Sequence, residues 1–414
     1  MSPGSTDPRD AALAAAVAVR YLRTPLAIRA RAENVLAAGL GGRLQHFKLE
    51  MDRLPDVADR VAAITRARYP DLNIPIHGRL NHLRAGGVDR PRQLVTGIGS
   101  RDERIGTLLD LVIVSVLLDA GAGDTWRFHE DGRDYVRSEG LAVASYHAFA
   151  NGWFSSDPRH PHRADAAGLV SLTAERLGQA FRASPDNPLV GLDGRAALLR
   201  RLGEALLART GSDHARPGSV ITQWLSGDGR TSTDAASLLL LLLELLGPIW
   251  PRREILAGQS LGDVWPHPAA GGQGPGSGLV PFHKLSQWLT YSLVEPLESE
   301  GFEVTAVGAL TGLAEYRNGG LLVDLGVLLP RHDAVTQFIH RPGDEVVVEW
   351  RALTVALLDR VADMVRDRLG KSAEELPLAR VLEGGTWAAG REVAAEKRAG
   401  GGPPIRIESD GTVF

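Results

Sequence analysis

No cysteine occurs among the 414 residues, which excludes disulfides, thiolate nucleophiles and zinc sites that need sulfur. Lysine is almost as scarce. Lys48, Lys284, Lys371 and Lys397 are its only copies and the rest of the 46 basic residues are arginine, so a lysine inside a polar motif draws notice. The longest apolar runs, 111–118 and 237–246, the second interrupted by Glu244, fall short of the ~20 residues of a spanning helix and read as buried core helices. The first twenty residues carry Asp7 and Asp10 and no basic start followed by an apolar core. That argues against a secretory leader and leads to the expectation of a cytoplasmic protein without a membrane partner. A net charge of −4 gives no global field for nucleic acid, which is not expected as a partner.

What is present is an ordinary globular composition with strong helical periodicity. Hydrophobic residues make up 44% and charged residues 23%, enough for a large core without staples. After a loose tail over 1–10, helical patterns run over 11–40 with a break at Pro25, then over 54–68, 102–118, 165–183, 194–209, 216–224, 234–246 and 348–369. Strand signals are few, and Ile405 to Phe414 around Asp410-Gly411 reads as a small hairpin. The fold class expected is mainly α, one multi-helix unit over 11–414. The glycine-rich 271–278 stretch allows a boundary between two lobes, with a cleft between segments 120–150 and 280–330.

Several motifs carry little. Gly258-Gln259-Ser260-Leu261-Gly262 has the spacing of a nucleophile elbow, but its flanks supply neither the buried strand nor the helix that an elbow needs. The 271–278 stretch lacks the lysine of a phosphate loop. His160 and His162 beside Asp157 and Asp165 could hold a metal, although such histidines are common in proline-rich loops.

Three segments combine polar chemistry with apolar surroundings. The first holds Trp126 and Glu130, then Arg137-Ser138-Glu139-Gly140. Ser138 suits a helix N-cap, which places Arg137 and Glu139 where free N–H groups attract anions. In the second, Leu285, Trp288, Leu289 and Leu293 form an apolar helix face beside a stripe of Lys284, Gln287 and Tyr291, with Pro281 in the first turn and Pro296 at the end. The third is Glu315-Tyr316-Arg317 followed by Asn318-Gly319-Gly320 and an apolar run containing Asp324. Unpaired buried charges are costly, so Glu315 is a candidate carboxylate in a low-dielectric pocket and Arg317 its partner or a phosphate ligand. The adjacent glycines are expected to end one helix and begin another. Each segment also reads blandly, as a surface turn, an amphipathic border or a structural Glu–Arg pair.

The strings LLDAGAGDTWRF (117–128), RSEGLAVAS (137–145), VPFHKLSQWLTYSLVEPLE (280–298), LTGLAEYRNGGLLVDLGVL (310–328), LEGGTWAAGR (382–391) and PPIRIESDGTVF (403–414) resemble the uracil-catabolism family, the fourth protein of that pathway and long a domain of unknown function. The likeness extends from about residue 20 to the end. A remoter likeness links the 283–291 helix and Glu315-Tyr316-Arg317 to the Lys-Arg-Ala-Gln and Asp-Tyr-Arg motifs of queuosine-salvage nucleotide N-glycosidases, helical proteins similar to DNA glycosylases. Here glutamate replaces aspartate, and Ser292 stands where the relatives' helix has an acidic residue. The resemblance implies a DNA-glycosylase-like helical core. It also implies hydrolysis of a ring-opened ribosyl-urea phosphate to urea and ribose 5-phosphate, with no metal or other cofactor required and contact with other enzymes of the pathway conceivable. On that reading Glu315 is catalytic, and Lys284, Arg317 and Arg137 hold the phosphate. Gln287, Trp126, Trp288 and Tyr316 line the pocket, with Glu130, Glu139 and Asp324 in reserve. Two other readings are an amidohydrolase step on the opened ring and a non-catalytic partner of the ring-opening enzyme.

Overall fold

The structure is a computed structural model that describes residues 8–119, 121–123, 125–251 and 253–408. Its centre is the 25-residue helix Glu345–Leu369, buried over most of its length and ended by Gly370 in the left-handed region. Pro25–Leu40 and Leu54–Arg68 pack against it. A second layer forms around Arg101–Leu117, which carries the apolar run and touches Arg137–Ala150, Pro217–Ser226 and Lys284–Ser299. Local chemistry sets many of these starts: the side chains of Thr24, Ser100 and Asp234 each accept a first-turn backbone N–H. One contiguous core joins residues from Ile28 to Ile405, and a small satellite gathers Val19, Leu22, Leu261 and Val264. The fold is mainly α. Among the described residues β structure is limited to two-stranded pairs, and no single helix is long and apolar enough to cross a membrane.

Several expectations need correcting. Part of the 1–10 tail is helical, since a helix begins at Pro8. The 165–183 pattern divides into Ala166–Val170 and Ala174–Ala180, because Asp165 and Thr173 each cap a separate start. Ser138 is not the N-cap, since the helix Arg137–Ala150 is preceded by Val136, and residues 127–136 before it, assigned no element from the sequence, form a hairpin, Arg127–Glu130 against Arg133–Val136. Its Asp131-Gly132 turn has φ of 46° and 77°, the Asp-Gly signature of a tight hairpin. Pro281 lies in the strand Leu279–Pro281, and Pro296 lies inside the helix Lys284–Ser299. The 271–278 loop closes the pair Val264–Pro266 and Leu279–Pro281, and Arg31 and Asn34 hold its base at the Ala270 carbonyl. Most of the loop itself is exposed. Arg406–Ile407 pairs in parallel with Ile339–His340; the other half of the expected C-terminal hairpin lies outside the described residues.

Gly319 and Gly320 lie within the helix Tyr316–Asp324 and do not end one. A Cβ on Gly319 would stand 2.7 Å from the Trp350 indole and 2.8 Å from Thr354 Oγ1, so its role is to admit the central helix. Gly319→Ala is expected to destabilise the fold by about 1–3 kcal/mol in denaturant titrations, because overpacking outweighs the helix propensity gained.

Candidate functional site

The polar site forms where the helices Lys284–Ser299 and Tyr316–Asp324 begin. Asp263 fixes the first start: its Oδ2 accepts from Lys284 N at 3.1 Å and its backbone carbonyl accepts from Phe282 N at 2.9 Å. Arg351 grips the same carboxylate with two bonds of 2.7 and 2.8 Å, and Trp265 Nε1 adds a third at 2.8 Å. Burial would raise the Asp263 pKa, but the Arg351 guanidinium and these hydrogen bonds hold it well below the usual carboxylate range.

Glu315 caps the second helix. Its Oε2 accepts from Arg317 N at 2.7 Å and its Oε1 from Asn318 N at 2.6 Å. The residue is buried, which raises its pKa, while the backbone bonds and the Lys284 charge act against the rise. Burial lowers the Lys284 ammonium pKa, and the charges of Glu315 and Asp119 oppose that. The Lys284 ammonium therefore feels the charge of both Glu315 and Asp119. Tyr316, its phenol pushed up by burial, feels the same two carboxylates.

Asp119 was not singled out from the sequence, although it ends the apolar run. It follows the helix Arg101–Leu117 and pairs with Arg79 at 3.0 Å. Arg79 is fully buried, bonds Ser115 Oγ at 2.7 Å and the Ser138 carbonyl at 3.2 Å, and lies 5.7 Å from the Trp288 ring. Arg79 Nη2 and Trp288 Nε1 are buried without a hydrogen-bond partner among the described residues, and a buried donor left this way is costly unless water or another polar group meets it. His82 lies beside it, with its ring 6.3 Å from Trp288 and 6.2 Å from Trp387. Arg79, Asp263 and Arg351 gave no sequence signal, since an arginine in an arginine-rich chain looks alike whether buried or exposed.

Burial, reinforced by Arg79, lowers the His82 pKa to about 4 from an ordinary 6.5. The folded state then takes up a proton less readily than the unfolded chain. Stability that is complete above about pH 6.5 is lost as pH falls towards about 4, by on the order of 3 kcal/mol. Denaturant midpoints measured across that interval should fall for the wild type and fall less for His82→Gln.

The other expected site residues separate into two sets. Gln287 is close by but fully used: it donates to the Phe282 carbonyl and Thr311 Oγ1 at 3.1 and 2.7 Å and accepts from Thr311 N at 2.9 Å. Tyr291 OH adds a bond to the Thr311 carbonyl at 3.1 Å. These bonds tie the segment leading to Glu315 onto the Lys284 helix, so Gln287 positions the site and is not open to substrate. Arg317 makes no side-chain ion pair with Glu315 among the described residues. It donates to the Gly401 carbonyl at 2.8 Å and lies over the Tyr316 ring, with Nε buried and unpartnered.

Trp126 packs in the core on Phe181 and donates to its carbonyl at 3.2 Å. Glu130 is held by Arg90 and His147, and Asp324 forms a two-bond pair with Arg398. Arg137 and Glu139 are exposed, and their turn reaches the site only through the Ser138 carbonyl. His160 is exposed and bonds Asp157 at 2.8 Å. A small part-open cavity of about 20 Å³, lined in part by Arg23, Trp250, Asp263, His283 and Ser286, adjoins the site through Asp263 and His283. Lys284 and Glu315 do not line it.

Comparison with known proteins bears on the whole chain. The family model described as "Protein of unknown function (DUF1688)" matches residues 21–414. The protein named "Protein urg3" of Schizosaccharomyces pombe is 42% identical over 398 residues, covering 94% of this chain and 96% of its own. "Uracil catabolism protein 4" of Lachancea kluyveri is 38% identical over 411 residues, covering 90% of this chain and 93% of its own. With a family model spanning nearly its full length and such relatives covering nine-tenths of it, the chain belongs to this uracil-catabolism family.

Proposed function

We propose that the chain serves uracil catabolism as a hydrolase that splits the N-glycosyl bond of a ring-opened ribosyl-urea phosphate into urea and ribose 5-phosphate. The pathway role rests on the relative named as a uracil catabolism protein. The reaction is supported by one feature: Glu315 is a buried carboxylate whose pKa burial raises, and its charge is felt by the Lys284 ammonium, which also feels a second carboxylate, Asp119.

In the proposed step the C1′–N bond breaks and its electron pair leaves with the urea nitrogen, which takes a proton. Water adds to C1′ and gives a proton to a carboxylate. The sugar passes through an oxocarbenium-like state that a neighbouring carboxylate stabilises. Lys284 offers a point charge to the phosphate, and Tyr316 and Trp288 border the sugar. Arg317, held at Gly401, supplies positive field from behind Tyr316.

One observation favours a second division of labour in the same reaction. Both Glu315 oxygens already accept backbone N–H groups, whereas Asp119 Oδ1 has no hydrogen-bond partner among the described residues beyond its ion pair with Arg79. In that assignment Asp119 faces the sugar and Glu315 shapes the helix start. Incubating the folded protein with the ring-opened nucleotide and measuring urea together with ribose 5-phosphate tests the reaction. Equal amounts of both are expected; ammonia without free ribose phosphate would point to an amide hydrolysis instead.

A further inference from the structure

A second polar cluster lies at the other end of the central helix's first turns, and it has no part in the proposed reaction. Glu345 and Glu349 are one helical turn apart at the start of Glu345–Leu369 and present their carboxylates on one face. His46 immediately precedes the strand Phe47–Leu49, and His332 follows its antiparallel partner Leu328–Pro330. One ligand atom from each of His46, Glu345 and Glu349 lies within 4.8 Å of the others.

The geometry around these atoms is that of a prepared site. Glu349 is fully buried. Its Oε1 accepts from His46 N at 3.1 Å and Phe47 N at 2.8 Å, which fixes the carboxylate in place. Its Oε2 is buried without a hydrogen-bond partner among the described residues. The nearest cationic candidate, His267 Nε2, stands 3.6 Å away, too far for a good hydrogen bond. An ionised carboxylate left this way in the interior is costly unless a cation compensates it.

The histidines sort into two roles. His267 Nδ1 accepts from Ala269 N at 3.1 Å, so that lone pair is already used and Nε2, the ring atom that faces Glu349 Oε2 at 3.6 Å without a hydrogen bond between them, is the one that carries a proton rather than a ligand lone pair. His46 behaves oppositely. Its Nδ1 lies 2.9 Å from His332 Nε2 and its Nε2 lies 4.0 Å from Glu345 Oε1. With the proton on Nδ1 shared to His332, Nε2 is left with its lone pair facing the two carboxylates, the outer-shell arrangement usual for a metal-bound imidazole.

We propose that His46, Glu345 and Glu349 bind a divalent transition-metal ion, with His332 and His267 as the outer shell. One imidazole and two carboxylates suit a borderline ion such as Zn²⁺, Mn²⁺, Fe²⁺ or Co²⁺, in contrast to the all-oxygen sets of Ca²⁺ and Mg²⁺. The ion joins the strand pair to the head of the central helix, two residues before Arg351. Its role is structural, independent of which bond the protein cleaves.

The test uses the full chain, stripped with chelator and titrated with Zn²⁺ by calorimetry and with Co²⁺ by visible ligand-field absorption. One equivalent is expected, with a thermal midpoint raised by a few degrees when the ion is added. His46→Ala and Glu345→Gln, both partly exposed positions that tolerate change, are expected to abolish that equivalent and the Co²⁺ spectrum. His332→Ala should weaken binding by about 10–100-fold, and His160→Ala, at a distant surface, should change nothing. Failure of the wild type to bind, or undiminished binding by His46→Ala and Glu345→Gln, overturns the proposal. Glu349→Gln is a further arm if it folds, with the same loss expected.

Discussion

Glu315→Gln is expected to slow urea release by about 10²–10⁴-fold, the usual range for removing a carboxylate that transfers a proton or stabilises charge in the transition state. The amide keeps the size of the side chain and one acceptor oxygen. It loses the second acceptor, so either Arg317 N or Asn318 N is left unbonded at a buried helix start, at a cost of about 1–3 kcal/mol. Two measurements therefore belong together: kcat from the urea assay and the denaturant midpoint of the same preparation. A fall in kcat with most of the stability kept supports the catalytic assignment. A fall in stability with kcat nearly intact, together with a loss of 10²-fold or more in Asp119→Asn, transfers the role to Asp119. If neither variant alters kcat in a protein that releases urea, the proposed site is wrong.

The largest stability effect is expected at Asp263. Asp263→Ala removes both bonds to Arg351, the bond from Trp265 Nε1 and the acceptor that holds Lys284 N. Arg351 is 1% exposed, so its guanidinium keeps its charge in the interior after losing the carboxylate. Breaking such a pair by removing one partner costs about 3–5 kcal/mol. Urea unfolding followed by circular dichroism reads this directly. Asp263→Asn, which keeps one acceptor, should fall between the wild type and alanine. A cost below about 1 kcal/mol for the alanine variant would mean that water reaches Arg351 and replaces the carboxylate. Because Arg351 also bonds the Ala314 carbonyl at 3.2 Å, the same variant should disturb Glu315 and lower kcat.

The helical frame was legible because local signals agree with one another. Apolar spacing, cap residues such as Thr24 and Ser100, and the terminating Gly370 each act within a few residues. The errors come from partners distant in the chain. Asp324 is paired 74 residues away with Arg398, and Glu130 is paired 40 residues away with Arg90. A charge between apolar runs reads the same from sequence whether it awaits a substrate or already holds an arginine. Gly319 was misread for the same reason: helix propensity registers only what glycine costs locally, while its benefit lies in the approach of Trp350. The hairpin at Asp131-Gly132 was a local signal, overlooked because the segment's charges drew the reading towards chemistry. The motifs picked out Lys284 and Glu315, whose charges act on each other, but Asp119 became visible only through Arg79.

Thr311 has consequences beyond packing. Its amide, carbonyl and hydroxyl are all bound by Gln287 and Tyr291, two side chains of the helix that begins at Lys284. The strand of chain that delivers the acidic group is thereby splinted to the element that delivers the ammonium. The two charged groups are held in one fixed register, and Arg79 is fastened to the same helix through its backbone N–H, which donates to Ser292 Oγ at 3.0 Å.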